Sequence, residues 1–287
     1  MQDVKLIECP RDAMQGIKDW IPTHKKVHYI QSLLNCGFDT IDFGSFVSPK
    51  AIPQMVDTAE VLSELDMSST QTKLLAIVAN VRGAKAAVAH PEITYLGYPF
   101  SISENFQMRN THKTIAQSVA TLSEILTLAA ASNKQVVTYL SMGFGNPYGE
   151  PWNFQIVEEW IEKLSYLEIE IISLSDTIGT ADPNDIYKIF SNLIPNYMKI
   201  EFGAHFHTKP DDWFNKIDSA YNAGCKRFDG AIQGFGGCPM AKDELTGNLP
   251  TEKLISYFNS INKKTNINSL NFESCYNHAL KLFNDFK

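Results

Sequence analysis

Short apolar runs rich in Val, Ile and aromatic residues recur at an even pace along the chain, at residues 4–10, 39–44, 73–80, 93–100, 135–141, 169–177, 199–207 and 227–234. Runs of this length and composition are what a strand buried on both faces requires. Between most of them the apolar positions fall at helical period, over 24–36, 111–131, 154–166, 183–193 and 212–223. Strand then helix, repeated eight times, predicts an α/β chain folded as a (β/α)8 barrel. The joints agree. Gly37 and Gly224 each stand just past a helical stretch, where a left-handed residue ends the helix, and Asp182-Pro183 reads as an N-cap followed by Pro at the first helical position. After the eighth strand come a Gly-rich loop, a helix over 251–261 and a last helix near 272–286, expected on the rim of the barrel. With no linker or compositional break, the expectation is a single catalytic domain over 1–287.

Composition narrows the partners. No run of about eighteen apolar residues and no basic-then-apolar start is present, so the chain reads as soluble, unexported and without a membrane partner. A formal net charge of −7 offers no basic face for nucleic acid. Five cysteines, at 9, 36, 225, 238 and 275, are odd in number and lack CxxC spacing, which speaks against a disulfide framework or a thiolate zinc site and for a reducing cytoplasm. Cys36 and Cys225, each beside a Gly, read as small buried apolar residues.

Chemistry-bearing residues collect where a parallel barrel puts its active site, at the C-terminal ends of the strands. Strand seven ends in His205 and His207, whose i,i+2 spacing turns both rings to one side. Strand one ends in Arg11-Asp12, strand two carries Asp42 and leads to Ser45, and strand six ends at Ser173 and Asp176. Each has a structural alternative: Asp12 as a helix cap, Asp42 as an acceptor for loop amides, Asp176-Thr177 as a turn. Convergence of four strands on one mouth favours a site. Asn248 adds an amide oxygen, so Asp12, His205, His207 and Asn248 offer two nitrogen and two oxygen ligands. That set suits Mg²⁺ or Mn²⁺, and would also take Zn²⁺. Arg82, in Asn80-Val81-Arg82-Gly83 after strand three, could meet a phosphate if it stands at the mouth; the alternative is an isolated surface Arg without a role. Cys238, flanked by Gly234, Gly236 and Gly237, reads as a thiol on a movable lid, with an ordinary Gly-rich turn carrying an incidental Cys as the alternative. His24 and His28, separated by Lys25 and Lys26, read as a solvated face, and His90, His112 and His278 as structural or exposed.

Five segments together, Glu8-Cys9-Pro10-Arg11-Asp12, Gly44 to Lys50 (GSFVSPK), Ser175-Asp176-Thr177-Ile178-Gly179, His205-Phe206-His207 and Gly236-Gly237-Cys238-Pro239, resemble the 3-hydroxy-3-methylglutaryl-coenzyme A lyase family over nearly the whole chain. The resemblance implies cleavage to acetyl-coenzyme A and acetoacetate. It implies a cation held by Asp12, His205, His207 and Asn248, charge stabilisation by Arg11, proton transfer by a carboxylate or His, with Asp42 and His205 in the catalytic group, and a proton delivered by Cys238. Gln15, Ser45, Asn80, Arg82, Ser173 and Asp176 would meet the acyl-coenzyme A substrate, and a homodimer is the assembly considered. Four positions depart from the family: Asp42 replaces a Glu, Val137 replaces an Arg, Thr208-Lys209-Pro210-Asp211 replaces Asp-Thr-Tyr-Gly, and the Cys-to-Asn spacing is one residue longer. Two other readings stand beside this one, a Claisen-type synthase condensing acetyl-coenzyme A on the same barrel and a barrel that binds acyl-coenzyme A without turnover.

Overall fold

The computed structural model describes residues 3–237 and 246–286. Eight parallel strands run in chain order around a closed ring: β1 Lys5–Glu8, β2 Thr40–Ser45, β3 Lys73–Ile77, β4 Ile93–Ser101, β5 Gln135–Ser141, β6 Ile171–Asp176, β7 Glu201–Thr208 and β8 Arg227–Gly230. Closure is made at β1, which pairs with β2 through Ile7 and Thr40 and with β8 through Lys5 and Arg227. Alternation along the strands sorts the side chains. Leu74, Ala76, Leu96, Tyr98, Ile172 and Phe206 point outward into the main core, while Leu75, Ile77, Tyr95, Val137, Tyr139 and Ile171 form a smaller apolar cluster inside the ring. All eight expected strands are present, and the (β/α)8 expectation holds.

The helices are α1 Pro10–Gln15, α2 Thr23–Leu34, α3 Thr58–Glu64, α4 Val81–Val88, α5 Glu104–Thr111, α6 Ile115–Ala131, α7 Phe154–Ser165, α8 Pro183–Asn196, α9 Trp213–Asn222, α10 Thr251–Ser260 and α11 Ser269–Asp285. Gly37 and Gly224 take the left-handed conformation at φ +90 and +105, and Asp182 caps α8 by accepting from Asn184 N. Three features differ from the periodicity. First, α1, α3, α4 and α5 have six to eight residues each, too few for an apolar stripe to repeat. Second, the helix expected over 111–131 starts later, at Ile115 behind a Thr114–Gln117 capping box, and a separate short helix, α5, precedes it and is ended by His112 at φ +55. Third, Lys26 is not solvated. It is buried, its Nζ donating to Asp57 Oδ1 at 2.8 Å, whereas His24 and His28 remain exposed. α10 lies against α9 and β8, and α11 against α2, so the last helices flank the barrel wall. A short strand β9, Gly247–Asn248, pairs antiparallel with the end of β7 and sets Asn248 opposite His207.

Candidate active site at the C-terminal mouth

Pro10, at the first helical position, ends β1 abruptly and starts α1, so Arg11 and Asp12 occupy a helical first turn on the rim. On β2 the pairing with β3 shifts register between Asp42 and Gly44, a bulge at the point where the strand delivers its acid. These two devices bring Arg11 and Asp42 into contact. Arg11 Nε donates to Asp42 Oδ2 at 3.0 Å and Nη2 to the same oxygen at 2.5 Å, while Nη1 donates to Asp12 Oδ1 at 2.8 Å and to Gln15 Oε1 at 3.0 Å. Gln15 Nε2 donates in turn to Asp12 Oδ1 at 2.6 Å. Asn248 Nδ2 donates to the other oxygen, Asp12 Oδ2, at 2.7 Å, and to Phe235 O at 2.9 Å. Every one of these side chains is buried or half-buried.

Asp12, His205 and His207 offer one ligand atom each within 4.8 Å of one another, a spacing that one cation spans. The protonation of Asp12 and His207 fits ligation. Burial would raise the Asp12 carboxyl, but the charges of Arg11, His205 and His207 and the Asn248 hydrogen bond hold it below the ordinary carboxylate range. Burial and the neighbouring His205 push His207 down to about 4, leaving a neutral ring with a lone pair to give. His205 goes the other way. Its burial is outweighed by Asp229, whose Oδ2 accepts from Nδ1 at 3.1 Å and leaves Nε2 for a ligand. Asp42 is raised to about 6, because full burial exceeds the opposing pull of Arg11.

The remaining expected residues sit apart from this cluster. Asn80 caps α4, its Oδ1 accepting from Gly83 N at 2.8 Å, and Arg82 is exposed in the first turn of that helix. Ser45 Oγ donates to Ile77 O at 3.3 Å and accepts from Val47 N at 3.3 Å, shaping the loop that follows β2. Ser173 is fully buried and two residues below Ser175, inside the ring rather than on its rim. Asp176 accepts from Thr180 N, Ala181 N and Lys216 Nζ at 2.9, 3.1 and 2.8 Å, so its carboxylate anchors the β6 loop. Cys238 lies outside the described residues.

Sequence reasoning missed Asp229 and Lys216. Lys216 is buried on the core side of α9 and donates to Asp176, Gly179 O and His207 O, tying the ends of β6 and β7 together. Its signal was a Lys next to Ile217 on an apolar helix face; Asp229 was an acid two residues after an Arg in an apolar strand.

A family model described as HMGL-like matches residues 4–277. Among curated relatives, the hydroxymethylglutaryl-CoA lyase of Bacillus subtilis is 31% identical over 258 residues, 90% of this chain and 85% of the relative. The mitochondrial hydroxymethylglutaryl-CoA lyase of Bos taurus is 32% identical over 270 residues, 93% of this chain and 82% of the relative. Among solved structures, an HMG-CoA lyase from Acinetobacter baumannii in complex with coenzyme A and 3-methylmalate aligns with a TM-score of 0.89 at 31% identity, covering 97% of this chain and 90% of that one. The Bacillus subtilis HMG-CoA lyase aligns with a TM-score of 0.91 at 29% identity, over 98% of this chain and 94% of its own. On fold, site and sequence alike, the chain belongs to the HMGL-like family.

Proposed function

We propose that this chain, one barrel domain over 1–287, is a carbon–carbon lyase that cleaves 3-hydroxy-3-methylglutaryl-coenzyme A, or a closely related branched 3-hydroxyacyl-coenzyme A, to acetyl-coenzyme A and acetoacetate. The observation that carries the reading is the Arg11 guanidinium, locked between Asp12 and Asp42 beside the Asp12–His205–His207 group. A fixed cation next to a ligand set is what bond cleavage to an enolate needs. The relatives that bear the lyase name, and the one solved with coenzyme A and 3-methylmalate, support the same substrate class.

Mg²⁺ or Mn²⁺ held by Asp12, His205 and His207, with Asn248 beside them, would supply a Lewis acid for the substrate's hydroxyl and carboxylate oxygens. The base for the tertiary hydroxyl is assigned to Asp42, raised to about 6 and so suited to exchange a proton near neutrality, unlike Asp12 and His207. As that proton leaves, the C3 oxygen becomes the ketone of acetoacetate and the C2–C3 electron pair moves onto the thioester. Arg11 faces the enolate oxygen. Cys238 returns a proton to C2, completing acetyl-coenzyme A. Exposed Arg82 is assigned to the coenzyme A phosphates. A reducing cytoplasm suits the described cysteines Cys9, Cys36, Cys225 and Cys275, all free thiols.

The test is incubation of the purified chain with 3-hydroxy-3-methylglutaryl-coenzyme A and Mn²⁺. Acetoacetate and acetyl-coenzyme A in equal amounts, abolished by chelation, is the expected result. Condensation of acetyl-coenzyme A with a 2-oxo acid would replace the reading with a synthase, and tight acyl-coenzyme A binding without products would replace it with a non-catalytic barrel.

A further inference from the structure

Beneath the ligand residues the barrel interior carries a second polar layer. Ser173 on β6, Gly203 on β7 and Arg227 on β8 are register partners across the ring, and Tyr139 on β5 is the partner of Ser173. Two residues further along, Ser175, His205 and Asp229 form the next layer up. Arg227 is fully buried. A Cβ at position 203 would meet Arg227 Cδ at 3.0 Å, Arg227 Cγ at 3.3 Å and Ser173 Oγ at 3.2 Å, so glycine there is the clearance through which the arginine stem passes. Its guanidinium lies 5.6 Å from the Tyr95 ring centre, and the nearest ion-pair oxygen, on Asp39, is 4.0 Å away.

Among the described residues, Arg227 Nε, Nη1 and Nη2, Ser173 Oγ, Tyr139 OH and Asp229 Oδ1 have no hydrogen-bond partner, although all are buried. Four side chains of one interior therefore hold matched donors and acceptors that do not reach each other. Buried polar groups are kept only when they are satisfied, and in a polar interior bound water does so. Asp229 commits its second oxygen, Oδ2, to His205 Nδ1, and the Tyr139 ring meets the His205 ring edge-on at 5.5 Å between centres. Each route out of the layer ends on the same ligand.

We propose that Arg227 is a positioning residue for the cation site: through bound water shared with Ser173 and Tyr139 it holds the Asp229 carboxylate against His205, and so sets the ring that faces the cation. This rests on the assignment of His205 as a ligand. Arg227 and Asp229 act in series, which separates this role from simple filling of the barrel.

The experiment is Mn²⁺ binding, read by electron paramagnetic resonance, in the wild type, Asp229→Asn, Arg227→Met, Arg227→Lys and the Arg227 changes combined with Asp229→Asn. Loss of an outer partner of a metal-bound His typically weakens affinity about 10- to 100-fold, so Asp229→Asn and Arg227→Met are each expected to lose about tenfold or more. Arg227→Lys, which keeps the charge and loses the planar fork, is expected to lose affinity as well, by less than Arg227→Met. Combined with Asp229→Asn, neither Arg227 change should add a further loss. Unchanged affinity in Arg227→Lys, or additive losses in the double variants, would overturn the proposal, and the Arg227→Lys reading stands even if Arg227→Met does not fold. A wild type that binds no Mn²⁺ overturns the cation reading itself and this inference with it; normal wild-type binding with an unaffected Asp229→Asn overturns this inference alone.

Discussion

Arg11 and Asp42, 31 residues apart, meet as a fork: Nε and Nη2 of the guanidinium both donate to the Asp42 carboxylate, at 3.0 and 2.5 Å to Oδ2. The resemblance placed a longer acid at this position. In this chain the shorter side chain still reaches, because the bulge after Asp42 and the helical turn at Arg11 bring the two backbones together. The contact fixes the plane of the guanidinium and leaves its far edge to Asp12 and Gln15.

Asp42→Ala is therefore expected to lower kcat more than it weakens acyl-coenzyme A binding, since both the proton acceptor and the aim of Arg11 matter most in the transition state. Turnover equal to wild type would remove Asp42 from the reaction. Asp42→Glu should cost activity as well, because an added methylene must push the Arg11 fork toward Asp12; a rate increase would point to a different natural substrate.

His207→Ala removes a proposed cation ligand at the rim, outside the apolar core cluster. Mn²⁺ affinity should fall by about tenfold or more while the thermal midpoint of the metal-free protein stays near wild type. Calorimetric titration reads the first and a melting curve the second. Undiminished affinity would take His207 out of the site.

Gly236, at φ +88, packs directly on the first turn of α1: a Cβ there would lie 2.5 Å from Asp12 O and 2.8 Å from Ala13 Cα. The sequence suggested flexibility for a lid, whereas the structure adds a steric reason. Gly236→Ala should shift the Asp12 backbone, weakening Mn²⁺ binding as well as turnover. Loss of turnover at normal Mn²⁺ affinity would return the glycine to a hinge role alone.

Cys238→Ala separates cleavage from its neighbours. A general acid contributes about 10²- to 10⁴-fold, so acetoacetate formation should fall by that much while Mn²⁺ and acyl-coenzyme A binding stay intact. Near-normal turnover in the variant would make the thiol a bystander.

Glu8 supplies a pH test of stability. It is fully buried at the end of β1, accepting from Ile232 N at 2.9 Å and Thr251 Oγ1 at 2.5 Å, and burial, partly offset by these bonds, raises it from 4.5 to about 8. A carboxyl raised in the folded state favours folding most below its unfolded value, and that contribution declines as pH rises toward the folded value near 8. The wild type should thus lose thermal stability between about pH 5 and pH 9 relative to Glu8→Gln, whose amide keeps both contacts without ionising. Parallel melting curves for the two proteins across that range would show that Glu8 does not carry the effect.

Much of this protein was legible in the chain itself. Eight strand runs, the helix joints at Gly37, Gly224 and Asp182, and the convergence of Arg11, Asp12, Asp42, His205 and His207 on one mouth all follow from local periodicity and from the rule that barrel strands end at the site. The tertiary structure decided which polar side chains are free for chemistry. Asp12 and Asp42 face Arg11, yet Asp176 is held by Lys216 and two backbone amides, Asn80 caps its own helix, and Ser173 lies buried inside the ring. Likewise the buried charges of Lys26, Lys216, Arg227 and Asp229 look like surface residues in the sequence. Periodicity reports which way a residue points, and spacing which neighbours it has along the chain; whether a charge is spent or available depends on partners brought in from strands and helices tens to hundreds of residues away.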